Sequence, residues 1–363
     1  MKNNIRPIAI HLPQFHPIPE NDKWWGKGFT EWTNVTKAKS RFEGHYQPHL
    51  PADLGFYDLR LAEARLEQEK MAKEFGIYGF CYYHYWFNGK RLLNEPVDRK
   101  LQNPAEDFPF MLCWANENWT RAWDGGETDV LLEQNYNISD DIEHMEILCN
   151  KYFVDPRYIK IRDKPIFLIY RPKLFPNIQE TVKRWREVAK KNGFVDLYLG
   201  YVKSFGVDDD PTTMGLDFAI EFHPKIGKAP ANVTGNWLMR KIRNLVEKKQ
   251  SKIDGDIVRT YDEYVDHQLG REFSKLTFPT VMPSWDNSSR RKTNAFILHN
   301  STPEKYGYWL QSVIQKYPWK KDSENFLFIN AWNEWAEGNH LEPCQKWGKL
   351  YLEETKKALQ KLQ

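Results

Sequence analysis

Eight short apolar runs, rich in β-branched and aromatic residues, punctuate this chain, with room for a helix or a long loop between each pair. They cover residues 7–12 (PIAIHL), 77–86 (IYGFCYYHYW), 108–116 (FPFMLCWAN), 165–170 (PIFLIY), 197–202 (LYLGYV), 216–223 (LDFAIEFH), 278–285 (FPTVMPSW) and 326–332 (FLFINAW). The runs are nearly continuous rather than alternating, which is the pattern of strands covered on both faces in a parallel sheet. The stretches between them carry helical spacing. Leu59, Ala62, Leu66 and Phe75 share one stripe, and Ile178, Val182, Trp185 and Ala189 another, with Gly193 placed to end it. Ser301 and Glu304 have capping-box spacing ahead of Trp309, Leu310, Val313, Ile314 and Tyr317. Leu352, Thr355, Leu359 and Leu362 repeat the spacing at the end of the chain. Eight strands alternating with helices predict an α/β fold, a (β/α)8 TIM barrel, forming a single domain over residues 1–363 with long βα loops.

A doubly wound sheet would need a glycine-rich turn after the first strand to bring backbone N–H groups onto a pyrophosphate. Residues 12–22 (LPQFHPIPEND) hold three prolines and no glycine there, and no Walker pattern occurs anywhere. The formal net charge of +3 is spread along the chain and gives no electrostatic case for nucleic acid or an anionic membrane. No apolar run approaches a membrane span. Cys81, Cys113, Cys149 and Cys344 show no CxxC spacing, and Cys81 and Cys113, inside apolar runs, read as small buried hydrophobes. The apolar run after the N-terminus is too short for a signal core, so a cytoplasmic protein is expected. Two connections are long, 118–164 and 224–277, and the second contains a basic amphipathic piece, 237–249, read as a solvated helix face.

With 15 Trp, 18 Tyr and 21 Phe the chain is rich in aromatic rings, which suit either a large core or a sugar site. In a barrel, function collects where strands end. The first strand ends in His11, Gln14 and His16, and the second in His84, Tyr85 and Trp86. The third ends in Trp114, Asn116 and Glu117, the fourth in Tyr170 and the fifth in Tyr201. The sixth ends in Glu221 and His223, the seventh in Trp285, and the eighth in Asn333, Glu334, Trp335 and Glu337. A ring of carboxylates, amides and aromatic faces matches a polyhydroxylated ligand, an oligosaccharide or polysaccharide.

Glu334 and Glu337 are three residues apart just past the last strand, so a helical turn would point both the same way. Glycoside cleavage needs such a pair: one carboxyl protonates the leaving oxygen and the other acts as base or nucleophile. The competing explanation is a Glu pair favoured by a helix dipole. Glu117 is the second candidate, with an ion pair to Arg121 as its structural alternative. The His11, His16 and His84 spacings match no zinc pattern, so no metal is expected. Asp208-Asp209-Asp210 and Asp254-Gly255-Asp256 resemble acidic metal motifs of glycosyltransferases but fall in loops away from strand ends, and are expected to be solvated.

Four segments carry a family resemblance. These are His11-Leu-Pro-Gln-Phe-His16, Asn21-Asp-Lys-Trp-Trp-Gly-Lys-Gly-Phe-Thr-Glu-Trp32, Trp114-Ala-Asn-Glu-Asn-Trp-Thr-Arg-Ala-Trp-Asp124 and Trp332-Asn-Glu-Trp-Ala-Glu-Gly338. They resemble the WbsX-type family, found with polysaccharide and O-antigen clusters and commonly described as glycosyltransferases. Through the last segment the chain is also similar to glycoside hydrolase family 99, the endo-α-mannosidases, which are (β/α)8 barrels. That resemblance implies a retaining glycosidase without a protein nucleophile or cofactor. Glu334 would deprotonate the sugar 2-hydroxyl and Glu337 would serve as acid, then base. The alternatives are a glycosyltransferase of lipopolysaccharide or O-antigen synthesis, and a non-catalytic carbohydrate-binding barrel.

Overall fold

Each of the eight apolar runs contributes a strand to one parallel sheet, described by a computed structural model for residues 5–121, 126–225, 255–320 and 323–360. The strands are β1 (Ile5–His11), β2 (Gly79–Phe87), β3 (Phe110–Trp114), β4 (Lys164–Ile169), β5 (Tyr198–Lys203), β6 (Phe218–Glu221), β7 and β8 (Asn325–Ile329). β7 is split at Pro279 into Thr277–Phe278, which pairs with β6, and Thr280–Val281, which pairs with β8. A proline has no N–H to give, so the ladder breaks there, although the Pro279 carbonyl still accepts the Phe328 N–H at 2.9 Å. β8 returns to β1, which completes the ring: Ile8 lies opposite Phe328 on one side and Gly79 on the other. Gly200 in β5 is dictated by packing, because a Cβ there would stand 2.5 Å from the Phe218 ring.

Helices α1 (Pro19–Trp25) and α2 (Glu31–Lys37) belong to the loop after β1 and sit at the mouth of the barrel. The outer layer is α3 (Ala62–Glu74), α4 (Glu95–Gln102), α5 (Ile138–Ile147), α6 (Ile178–Lys191), α7 (Tyr261–Leu269), α8 (Pro303–Lys316) and α9 (Leu350–Gln360). α6 follows its sequence pattern closely. The Asn177 side chain caps it on the Glu180 N–H, Val182, Trp185 and Ala189 are buried, and Gly193 turns the chain at φ +87°.

Three expectations need correction. The cap of α8 is Thr302, whose hydroxyl accepts the Lys305 N–H, and not Ser301. α3 forms where expected, but the face it buries carries Arg65, Gln68 and Glu69 beside Met71 and Ala72, while Leu66 is only half-buried. Those polar side chains are tolerated because they are paired: Arg65 with Glu106 at 2.7 Å and Glu69 with Lys100 at 2.6 Å. Between β5 and β6 there is no α-helix, only the 3-10 turn Pro211–Met214 capped by Asp210. The basic piece at 237–249, Leu362 and Asp254 lie outside the described residues. All four cysteines are free and buried. Among the described residues no helix is long and apolar enough to cross a membrane.

Candidate active site

The chain leaves β8 through a small hairpin that sets the two glutamates. Asn333–Glu334 pairs antiparallel with Asn339–His340 around a 3-10 turn, Trp335–Glu337. In such a turn residues i and i+3 eclipse, so Glu334 and Glu337 point to one side. Gly338 closes the turn at φ +57° with Asp286 packed where a side chain would stand. Asn333 pins the hairpin to the start of the β1 loop, accepting the Leu12 N–H at 2.7 Å and donating to the Leu12 carbonyl at 3.0 Å. The Trp335 ring stacks on His340 at 3.8 Å and donates from its Nε1 to Glu342 at 2.6 Å.

Both carboxylates reach one guanidinium. Arg290 Nη2 contacts Glu334 Oε2 and Nη1 contacts Glu337 Oε1, each at 2.8 Å. The same Arg290 donates to Glu31 Oε1, from Nη2 at 2.6 Å and from Nε at 3.1 Å. Glu31 is fully buried in the first turn of α2, where a carboxylate is favoured, and also accepts the Ala336 N–H at 3.2 Å. One cation thus faces three carboxylates. Burial raises Glu334 to about 8, Arg290 opposes the rise, and Glu337 and Glu31 add to it. Glu337 is also raised, by burial and by Glu31, against Arg290. Glu334 Oε1 and Glu337 Oε2 have no hydrogen-bond partner among the described residues, leaving each group one oxygen for a ligand.

These groups border a cavity of about 310 Å³ at the barrel mouth. Of the residues singled out in the sequence, Gln14, Tyr85, Glu117, Tyr170, Trp285, Glu334 and Glu337 meet there. Glu117 is held by Arg171 at 2.7 Å rather than by Arg121, which pairs with Asp129. Its carboxyl is raised by burial, with Arg171 opposing.

The other residues singled out sit outside this cavity. His11 turns outward under α3, bonds Gln68, and is lowered by burial to about 3. His84 contacts His144 of α5 at 2.9 Å, and Trp86 stacks on the same imidazole. Trp114 packs against His144 and Trp185. Asn116 ties the Tyr136 hydroxyl to the Arg171 backbone. Tyr201 donates to the Asp209 carbonyl. Glu221 and His223 form a cluster with Lys225 and Arg271 in which, against burial, the hydrogen bond from His223 and then the neighbouring Lys225 and Arg271 hold Glu221 low. Asn333 and Trp335 brace the hairpin from behind. Asp208 and Asp209 are exposed, as in a solvated loop, and pair with the mostly buried Lys203 and the exposed Lys173, but Asp256 is buried on Arg41 at 2.6 Å.

Arg290 and Glu31 escaped the sequence reading, as did Trp24, Trp25, Trp119, Phe205 and Phe222, which also line the cavity. Their signals were present. Trp24, Trp25 and Glu31 fall in the tryptophan-rich segment ending at Trp32, and Arg290 follows the seventh strand by a few residues.

The solved structures most similar in shape include the family 99 endo-α-mannosidase of Bacteroides thetaiotaomicron, alone and in complex with bis-tris-propane. Both superpose with a TM-score of 0.58, at 15% and 14% identity, over 98% of this chain and 97% of theirs. A structure described as a glycoside hydrolase-like protein gives the same TM-score at 13% identity, over 98% of this chain and 94% of that one. At such identities the likeness establishes the fold alone. In sequence, the uncharacterized protein WxcX of Xanthomonas campestris pv. campestris is 40% identical in strain B100 and 41% identical in strain ATCC 33913, over 97% of this chain. This chain spans about half the length of those relatives, 49% in each case. The model of the family described as Glycosyltransferase WbsX matches residues 7–355, and the chain belongs to that family.

Proposed function

We propose that this barrel is a carbohydrate-active enzyme that cleaves glycosidic bonds of a bacterial surface polysaccharide, of O-antigen or capsule type, with retention of configuration. The observation that carries this reading is the pair Glu334 and Glu337, both raised, both on Arg290, each presenting one oxygen to an aromatic-walled cavity. In the proposed first step Glu334 takes the proton of the sugar 2-hydroxyl, whose oxygen attacks the anomeric carbon. Glu337 gives its proton to the leaving oxygen as that bond breaks, and a 1,2-anhydro sugar forms. In the second step Glu337 takes a proton from water, water oxygen attacks the anomeric carbon, and the 2-oxygen recovers its proton from Glu334. A base with a raised pKa is better matched to a hydroxyl proton than an ordinary carboxylate. Arg290 favours its ionised form.

The test uses α-mannoside oligosaccharides and O-antigen or capsule fragments without nucleotide sugars, reading reducing ends and product anomer by NMR. The expected outcome is release with retention, reduced about 10²–10⁴-fold in Glu334→Gln and in Glu337→Gln. The family's description favours a second reading, transfer from an activated sugar. Saturable nucleotide-sugar binding with no release from any fragment would replace the hydrolase by that transferase. Sugar binding with neither activity would mean a non-catalytic barrel.

A further inference from the structure

A second cavity, of about 240 Å³, lies at the same end of the barrel, with Trp285 bordering both. Its electrostatics differ. The one carboxylate bordering it among the described residues, Asp286, is already engaged by His45 Nε2 at 2.6 Å, Gln47 Nε2 at 2.7 Å and the Ser288 N–H at 2.9 Å. His45 is committed too, since its Nδ1 accepts the Arg41 N–H at 3.0 Å and its Nε2 must therefore carry the proton.

A chain of forced tautomers ends in this cavity. The carbonyl of Glu342 can only accept, so His340 carries its proton on Nδ1, 2.9 Å away. Its Nε2 then accepts from His49 Nδ1 at 3.0 Å. His49 is left with an Nε2 lone pair that no group among the described residues satisfies, on a side chain 8% exposed that lines the cavity. Burial holds His49 down at about 4, so this nitrogen stays an acceptor at neutral pH. Beside it the Lys346 ammonium lies over the rings of Tyr46 (4.4 Å) and Trp347 (4.8 Å), with no carboxylate partner among the described residues. Tyr46 is filled on both faces, by Lys346 and by the stacked His49, so the indoles of Trp285 and Trp347 are the aromatic walls. An acceptor for a hydroxyl, an aromatic wall and a cation not paired to an acid are what one sugar ring bearing an anionic substituent needs.

We propose that this cavity is a second glycan-binding site, taking an acidic monosaccharide unit such as a uronic acid across Trp285 from the glutamate pair. The proposal builds on the carbohydrate reading above but does not require cleavage. A polymer unit seated here would hold its neighbours against the mouth of the first cavity.

The test is a titration of the whole chain, labelled with ¹⁵N-histidine, with sodium glucuronate, methyl α-glucoside, glucose 6-phosphate and sodium acetate, following His49 Nε2 by NMR. The expected result is a saturable upfield movement of that nitrogen with glucuronate, weakened several-fold in Lys346→Met, a change on an exposed side chain that the fold tolerates. Glu334→Gln, which removes the proposed catalytic base, should leave it unchanged. Binding of glucose 6-phosphate in place of glucuronate would still support an anion-bearing sugar and identify phosphate as its charge. No movement with any sugar, an equal response to methyl α-glucoside, or an equal response to acetate would each overturn the proposal. Loss of binding in Glu334→Gln but not in Lys346→Met would overturn it as well, by placing the sugar in the first cavity. Absence of cleavage in the fragment assay, with His49 still responding, would sink the hydrolase and leave this site standing.

Discussion

Two buried charge clusters in this barrel are built from the same residue types and differ in their balance. Under α3 and α4, Arg65 faces Glu106 and Lys100 faces Glu69, two cations for two carboxylates, with side chains at most 4% exposed. At the mouth, one arginine faces Glu31, Glu334 and Glu337. In the first cluster every charge has an opposite within 3 Å, and the arrangement joins α3 to α4 and to the loop ahead of β3. In the second, carboxylates crowd around one shared guanidinium, with only a weaker pull from Arg291 on Glu337, and the buried Glu334 and Glu337 hold their protons more tightly than ordinary carboxyls. Balanced clusters serve architecture; an unbalanced one stores proton affinity where a ligand can use it.

The contrast can be broken most directly at Arg290. Arg290→Met leaves three buried carboxylates without their cation, and a loss of about 5 kcal/mol is expected at neutral pH. That loss should shrink as pH falls and the carboxyls protonate, read by urea denaturation across pH; a loss independent of pH would mean that the excess charge is not what Arg290 balances. Lys100→Met strands one carboxylate in the balanced cluster and should cost about 3 kcal/mol. It should leave the wild-type dependence of stability on pH near 8 in place, whereas a change there would show the two clusters to be coupled. A smaller effect comes from Glu334 itself. Its folded pKa lies above that of the unfolded chain, so its contribution to stability is fully present below the ordinary carboxylate range and is lost as pH rises through about 8. Glu334→Gln should flatten that decline, and identical slopes in both proteins would contradict the raised carboxyl. The smallest effect is expected on the surface, where Lys70→Ala removes an exposed partner of Glu67 and should change stability by less than about 0.5 kcal/mol.

The barrel was legible because a doubly covered strand must be a nearly continuous apolar run, and eight such runs leave few other folds. The site was legible only in part, because strand ends reveal position along the barrel but not direction. Neighbouring side chains of a strand point to opposite faces. On β2, Tyr83 and Tyr85 line the cavity, while His84 between them and Trp86 after them pack outward on His144 and α5. His11 and Trp114 face the helices for the same reason. A run such as HYW gives no parity until its pairing partner is known. Arg290 could be placed near a strand end, but its role was illegible for another reason: it comes from three carboxylates supplied by the loop after β1 and the hairpin after β8, far apart in sequence. By contrast, the three-residue spacing of Glu334 and Glu337 was informative, since a single tight turn suffices to align them.

The anchoring of Leu12 by Asn333 spans 321 positions of sequence. The groups that it draws together come from opposite ends of the polypeptide, so the excess charge at the mouth exists only once the two ends have met. Before that moment Glu334 and Glu337 are hydrated, ordinary acids. Proton affinity at this site is therefore a product of ring completion: a chain on the ribosome that has made only the first half of the barrel holds Glu31 but still lacks Arg290, Glu334 and Glu337.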